Sequence, residues 1–208
     1  MKKAPHGSRC RAPSCKKLEA LLNERNSHPD RRRQIDRLIL KRFRSTKAVL
    51  VLDMAGFSVS VQRDGIIHHL ARIYRMHDAA RVEVEAQAGT VVKFEADNCF
   101  ATFTSVRDAI EAAITLNAKL AAINTKLLAN DRIHVSIGIG YGQILLACDD
   151  LFGDEVNLTA KLGEDIAERG EVLLTERARK AVRGKTYRFS KRTIKASGIA
   201  IQVAKLVI

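Results

Sequence analysis

Thr90-Val91-Val92-Lys93-Phe94-Glu95, then Ala96-Asp97, then Asn98-Cys99-Phe100-Ala101-Thr102-Phe103 is the stretch on which the fold turns. β-Branched and aromatic residues on either side of a dipeptide carrying an acid predict a hairpin with Ala96-Asp97 at its tip. Outward from it, Ile66, Ile67, Leu70, Ile73, Met76, Ala80 and Val84 recur at helical spacing within residues 60–87, and Gly89 ends that run. On the other side Ile110, Ala113, Ile114, Leu116, Leu120 and Ile123 predict a second helix over 105–129. Beyond the helices lie two further strands. Ala48-Val49-Leu50-Val51-Leu52 is continuously apolar, as a strand buried on both faces would be. Arg132–Gly142 reads as the other strand, its glycines permitting close backbone approach, and Gln143–Cys148 follows it. Strand, helix, hairpin, helix, strand is the βαββαβ order of a ferredoxin-like sheet, so the fold class is α+β. Additional C-terminal elements are a strand over Glu171–Thr175, a helix over Glu176–Val182 and a strand pair over Tyr187–Ile208 turning near Ser197-Gly198.

A chain of 208 residues, 46% hydrophobic, is large enough to bury a core without staples. Its formal net charge of +13 is unevenly spread: residues 1–47 hold 15 Lys/Arg against 4 Asp/Glu, and the remainder is nearly neutral. Two domains are expected, a basic arm over 1–46 and a body over 47–208. Attraction of an anionic partner by bulk charge is then a matter for the arm. Leu18, Leu21 and Leu22 predict a short helix near Lys16–Arg25, and after Pro29-Asp30 the residues Ile35, Leu38, Ile39 and Phe43 form an amphipathic basic helix. Such a helix can touch a membrane surface or nucleic acid, or, more commonly, pack its stripe on its own domain or a second copy. Phe43 is the arm's only aromatic residue and no nucleic-acid-reading motif is present, so no stable nucleic-acid partner is expected. No apolar run approaches the roughly 18 residues of a membrane span, nor does the N-terminus read as a signal peptide, and the expected location is cytoplasmic. Cys99 and Cys148 are expected to be reduced core residues; Cys10 and Cys15 with His6 are either a metal site or part of an unstructured tail.

Three groups of polar residues stand out against this frame. Asp53 ends the first buried strand next to Met54-Ala55-Gly56-Phe57-Ser58, where a carboxylate can either hold a hard cation beside a phosphate-cradling turn or cap the next helix. Asp97 at the hairpin tip is either simple turn chemistry or a second acid for a pair of Mg²⁺ ions. In Asp150-Leu151-Phe152-Gly153-Asp154-Glu155-Val156-Asn157-Leu158-Thr159-Ala160-Lys161, the spacing of Asn157 and Lys161 puts an amide and a cation on one helical face. That face either is solvated or meets a polyanion.

Together these patterns resemble the catalytic domain of class III nucleotidyl cyclases, over about residues 47–207. The family's Asp-x-x-Gly-Phe-Thr/Ser is similar to Asp53–Ser58, its Lys-x-x-Gly-Asp to Lys93–Asp97, and its Asp-x-x-Gly-x-x-Val-Asn-x-x-x-Arg to Asp150–Lys161. Gly138 and Gly142 sit where the family has a glycine-rich strand. The resemblance implies that Asp53, Asp97 and the Met54 carbonyl hold two Mg²⁺ (or Mn²⁺) ions. It implies further that Gly56, Phe57 and Ser58 hold the triphosphate, that Lys93 and Asp150 read the base, and that Asn157 and Lys161 support ring closure. It also implies a head-to-tail homodimer with two sites at its interface. Two departures stand out: Ala96 replaces glycine, tolerable if the turn does not need a positive φ, and Lys161 replaces an arginine and cannot offer a bidentate fork. The expected activity is that of an adenylate cyclase making 3′,5′-cyclic AMP and pyrophosphate from ATP. The alternatives are a pyrimidine nucleotide cyclase forming cyclic UMP or CMP, and a catalytically silent nucleotide-binding or dimerisation module.

Overall fold

The computed structural model describes residues 13–55, 65–182, 187–196 and 199–207. Helices α1 (Pro13–Ser27) and α2 (Arg32–Phe43), joined by a 3₁₀ turn, lead into β1 (Arg44–Met54). Then come α3 (Ile66–Ala86), β2 (Thr90–Glu95), β3 (Asn98–Phe103), α4 (Val106–Asn124), β4 (Val135–Ala147) and β5 (Asp150–Phe152). Helix α5 (Asp154–Lys161) runs into a π-helical turn, Leu162–Ile166, and β6 (Val172–Thr175), α6 (Glu176–Ala181), β7 (Arg188–Ala196) and β8 (Ile199–Val207) complete the chain. The sheet order is β2-β3-β1-β4-β6-β8-β7, with β5 paired to β4. Its first four members are the ferredoxin-like core, and the C-terminal strands extend the β4 side.

β1 is apolar from Ala48 to Leu52 because that part is covered on both faces. Leu50, Leu52 and Met54 meet Ile73, Met76, Ile110 and Leu116 of α3 and α4. Val49 and Val51 meet Phe100, Ile144, Leu151 and Val156 on the other side. Helix α4 is capped by Ser105, whose hydroxyl accepts from Asp108 N at 3.2 Å. It stops at Asn124 and not at 129, because that side chain bonds both Ile133 N and Ile133 O at 2.8 Å and turns the chain back. Helix α3 starts at Ile66, after Gly65 at φ 83°, and residues 60–64 lie outside the described residues, as does the turn at Ser197-Gly198.

The arm packs on its own chain. Ile35, Ile39 and Phe43 are buried with Leu18 of α1 and Ala147 of β4, whereas Leu38 is 46% exposed. Arg25 forks onto Asp36 to pin the two helices. Among the described residues no helix is long and apolar enough to cross a membrane. The expectation for the cysteines needs correction. Cys99 is free and buried, but Cys148 is bonded to Cys15, which takes Cys15 out of any metal site; Cys10 and His6 lie outside the described residues. Sequence spacing of 133 residues hid the pair, which the docking of α1 on the end of β4 brings together. A disulfide is a rarity in a reducing compartment, so this pair and the cytoplasmic expectation pull in opposite directions. Closing so long a loop removes much entropy from the unfolded chain, and reduction is expected to cost about 2–4 kcal/mol of stability. Thermal melts with and without reductant, with Cys15→Ser as control, read this directly; identical midpoints would contradict it.

Candidate active site

Two short-range features of the β2–β3 hairpin set the site. The first is a bulge: Val91 pairs with Ala101 but Lys93 pairs with Phe100, so Val92 is the extra residue. Plain alternation would put Lys93 on the side of Val91, against α3 and α4; the inserted residue turns it to the side of Phe100 and α5. There its ammonium lies 3.1 Å from Asp150 Oδ1 on β5 and 2.7 Å from Glu95 Oε2, and 4.6 Å from the centroid of the Phe100 ring. Burial works against the charge on Lys93, but the two carboxylates outweigh it and hold its pKa above the ordinary lysine value.

The second feature is the turn. Ala96 has φ 51°, so the turn does require a positive φ, contrary to the condition under which alanine would be harmless. Both favoured two-residue hairpin turns put their first central residue there. Ala96→Gly is expected to raise stability by about 0.5–1 kcal/mol, since glycine alone adopts this region without a Cβ penalty. Urea melts check this, and a loss of stability would contradict the left-handed turn. The turn is also held from outside. His77, stacked on Phe94 at 4.0 Å, bonds the Ala96 carbonyl oxygen through Nε2 at 3.0 Å.

Beside this turn the sheet gathers acids. Asp53, near the end of β1 opposite Ser136, has its carboxyl pKa pushed up to about 7, first by burial and then by the charges of Asp97, Glu164 and Asp165. Burial also raises Asp97, although His69 and His77 pull it back. Glu164, on the π-helical turn, is raised by burial and by Asp165, Glu95 and Asp97, and accepts from Asn98 Nδ2 at 3.2 Å. The structure thus brings Asp53 and Asp97 together within reach of each other's charge. Among the described residues no group of three His, Cys, Asp or Glu side chains is arranged to hold a metal ion. Two acids suit Mg²⁺, which takes one or two carboxylates and completes its shell with water and substrate phosphate. The donor set therefore fits a hard divalent cation that arrives with a phosphate substrate. Gly56, Phe57 and Ser58 lie outside the described residues.

Asn157 and Lys161 ride on α5, whose seat depends on the glycines of β4. A Cβ on Gly138 would lie 2.3 Å from the Thr159 carbonyl oxygen, and one on Gly140 would lie 2.0 Å from Thr159 Oγ1. Of the expected pair, Gly138 is needed for close approach; Gly140, more than Gly142, is its partner. Buried Glu155 fixes the helix further, accepting from Tyr141 N at 3.0 Å and from Thr175 Oγ1 at 2.5 Å. Asn157 is exposed and Lys161 half-buried, its Nζ 4.0 Å from Asp165. Sequence reasoning missed Glu95, Glu155, Glu164 and Asp165. Each is an ordinary acid in the sequence, and only the bulge, the glycine seat and the π-helical turn give it a role.

A family model described as the adenylate and guanylate cyclase catalytic domain matches residues 48–199. A Rhizobium meliloti protein named "Putative adenylate cyclase 3" is 31% identical over 143 residues, which are 69% of this chain and 24% of that protein. The chain thus spans about a quarter of the length of that curated relative. Among solved structures, an adenylate/guanylate cyclase/hydrolase from Silicibacter pomeroyi matches with TM-score 0.66 and 27% identity, covering 79% of this chain and 98% of the other. The adenylyl cyclase CyaB from P. aeruginosa matches with TM-score 0.67 at 17% identity over 79% of this chain and 96% of its own, a likeness of fold.

Proposed function

Because the chain belongs to the family of adenylate and guanylate cyclase catalytic domains, we propose that it is an adenylate cyclase, converting ATP to 3′,5′-cyclic AMP and pyrophosphate at sites shared between two copies of itself. The observation that carries the choice of ATP is the contact of Lys93 with Asp150 at 3.1 Å. A fixed donor beside a fixed acceptor complements N1 and the N6 amino group of adenine; guanine presents the reverse polarity at both atoms.

In the reaction the ribose 3′-oxygen attacks the α-phosphorus, the bond from that phosphorus to the β-phosphate bridging oxygen breaks, and pyrophosphate leaves. Lys93 and Asp150 orient the base and so hold the ribose for in-line attack. Asn157 donates toward the ribose, and the Lys161 cation neutralises charge that builds on the α-phosphate. Asp53, Asp97 and the Met54 carbonyl would hold two Mg²⁺ or Mn²⁺ ions, which lower the pKa of the 3′-hydroxyl and neutralise phosphate charge. By the family resemblance, the triphosphate would fall to the backbone N–H groups of Gly56, Phe57 and Ser58. Asp53 and Asp97 come from one protomer and Lys93, Asp150, Asn157 and Lys161 from its partner, which makes the head-to-tail homodimer the active unit.

Incubation with ATP, GTP, CTP or UTP plus Mn²⁺ or Mg²⁺, followed by mass spectrometry, tests the reading. Cyclic AMP as the main product is expected. Cyclic UMP or CMP in its place would overturn the base assignment, and no cyclic product from any nucleotide would identify a silent module.

A further inference from the structure

Lys93 touches two carboxylates, and Asp150 accounts for one of them. Glu95 lies on the same face of β2 two residues along, 2.7 Å from the ammonium, closer than Asp150 at 3.1 Å. Its side chain is 65% exposed. As a stabilising ion pair it is superfluous: exposed pairs are worth about 0–1 kcal/mol, and the lysine already has a partner. What the second carboxylate adds is pattern. In order of contact, Asp150, Lys93 and Glu95 run acceptor, donor, acceptor, a row joined through the Lys93 ammonium that touches both carboxylates.

Resting on the adenylate cyclase reading, we propose that Glu95 is a base-reading residue that sets adenine apart from cytosine. The edges of the four bases explain why a third group is needed. Uracil presents acceptor, donor, acceptor and clashes with the row at every place. Guanine presents acceptor, donor, donor and clashes at the first two. Asp150 and Lys93 therefore dispose of both without help. Cytosine presents its N4 amino donor and N3 acceptor just as adenine presents N6 and N1, and the first two members of the row accept them equally. The two differ at the third place, where adenine has C2–H and cytosine has the O2 acceptor. A carboxylate there sets anion against lone pair, and leaves a desolvated acceptor without a donor, which costs cytosine and not adenine. A base with an amino group at that place should suit the row best. The triphosphate of 2,6-diaminopurine riboside (2-amino-ATP) presents donor, acceptor, donor.

The test compares ratios within each protein, so that any loss of folded fraction cancels. For the wild type, Glu95→Gln and Glu95→Ala, kcat/KM and equilibrium affinity in Mn²⁺ are measured with ATP, CTP and 2-amino-ATP. The wild type is expected to favour 2-amino-ATP over ATP. In Glu95→Ala the ATP-to-CTP ratio should fall about tenfold and the 2-amino-ATP advantage should vanish. Glu95→Gln, whose amide can donate to O2, should move the ATP-to-CTP ratio at least as far. Ratios that stay within about twofold in both variants, while the wild type still uses ATP, would overturn the role of Glu95 alone. A wild type that neither binds nor converts ATP would overturn the adenylate cyclase reading and this inference with it.

Discussion

Asp53→Asn is expected to lower turnover of ATP by about 10³-fold or more and, at the same time, to raise the melting temperature of the metal-free protein at pH 8. The first effect follows from the proposed role, since an amide cannot replace an anionic ligand to a hard cation. The second follows from the pKa of this carboxyl, pushed up from 3.8 to about 7 by burial and by Asp97, Glu164 and Asp165. Below the ordinary carboxylate value the group is neutral in both folded and unfolded chains and costs nothing. Between that value and about 7 the folded protein keeps a proton that the unfolded chain has released, so stability falls as pH rises through this window. At pH 8 the folded state carries the whole penalty of an ion that is half-buried among other anions. Asparagine removes it, so the variant should melt higher than the wild type at pH 8 and nearly level with it at pH 4. Mn²⁺ should raise the melting temperature of the wild type at pH 8 and leave the variant nearly unmoved. Equal melting temperatures at pH 8 would show that Asp53 is not an electrostatic strain in the apo protein.

Lys161→Ala is the second large effect: kcat should fall about 10²–10³-fold, with KM for ATP little changed, because the role proposed for this cation is to meet the charge that builds in the transition state. Stability should scarcely move. Lys161 is 36% exposed and its acidic neighbour Asp165 stands at 4.0 Å, a surface pair of small worth. The helix that presents it is held by Glu155 and by the glycine seat on β4, not by Lys161. Lys161→Arg restores the two-pronged donor that lysine lacks and is expected to match or exceed the wild-type kcat. A steady-state comparison of the three proteins, with melts as controls, decides it. A Lys161→Ala protein with wild-type kcat would remove this residue from the chemistry.

The bounds of the central hairpin, Thr90–Glu95 and Asn98–Phe103, could be read from the sequence because strand propensity and a two-residue turn coincide there. β1 extends four residues before Ala48 because Arg44–Lys47 pair with β4 through their backbones, and a hydrophobicity pattern carries no sign of that. The docking of the arm was legible as one of several uses of an amphipathic stripe. Its anchor, Cys15 bonded to Cys148, was not, because covalent pairing depends on where the tertiary fold brings two distant residues. At the site, residue types and spacing pointed to Asp53, Asp97, Lys93, Asp150, Asn157 and Lys161 through a family resemblance. Their setting was not in the pattern. A one-residue bulge at Val92 decides which face Lys93 takes, and the positive φ of Ala96 and the π-helical turn bearing Glu164 depend on local backbone geometry. Glu95 was unremarked because plain alternation, which does put it on the face of Lys93, would set both toward α3 and α4 and away from Asp150; the bulge at Val92 turns the pair over together.

The central claim is that acids from one protomer and cations from its partner meet over a single ATP, and mixing two defective proteins tests it most directly. Asp53→Asn and Lys161→Ala, each nearly inactive alone, are combined in equal amounts under conditions where subunit exchange is followed independently. Random pairing makes half of the dimers mixed, each with one intact site of two, so about a quarter of the wild-type cyclic AMP production should return. Activity that stays at the level of the separate variants, with exchange demonstrated, would contradict a site built from two copies of this chain.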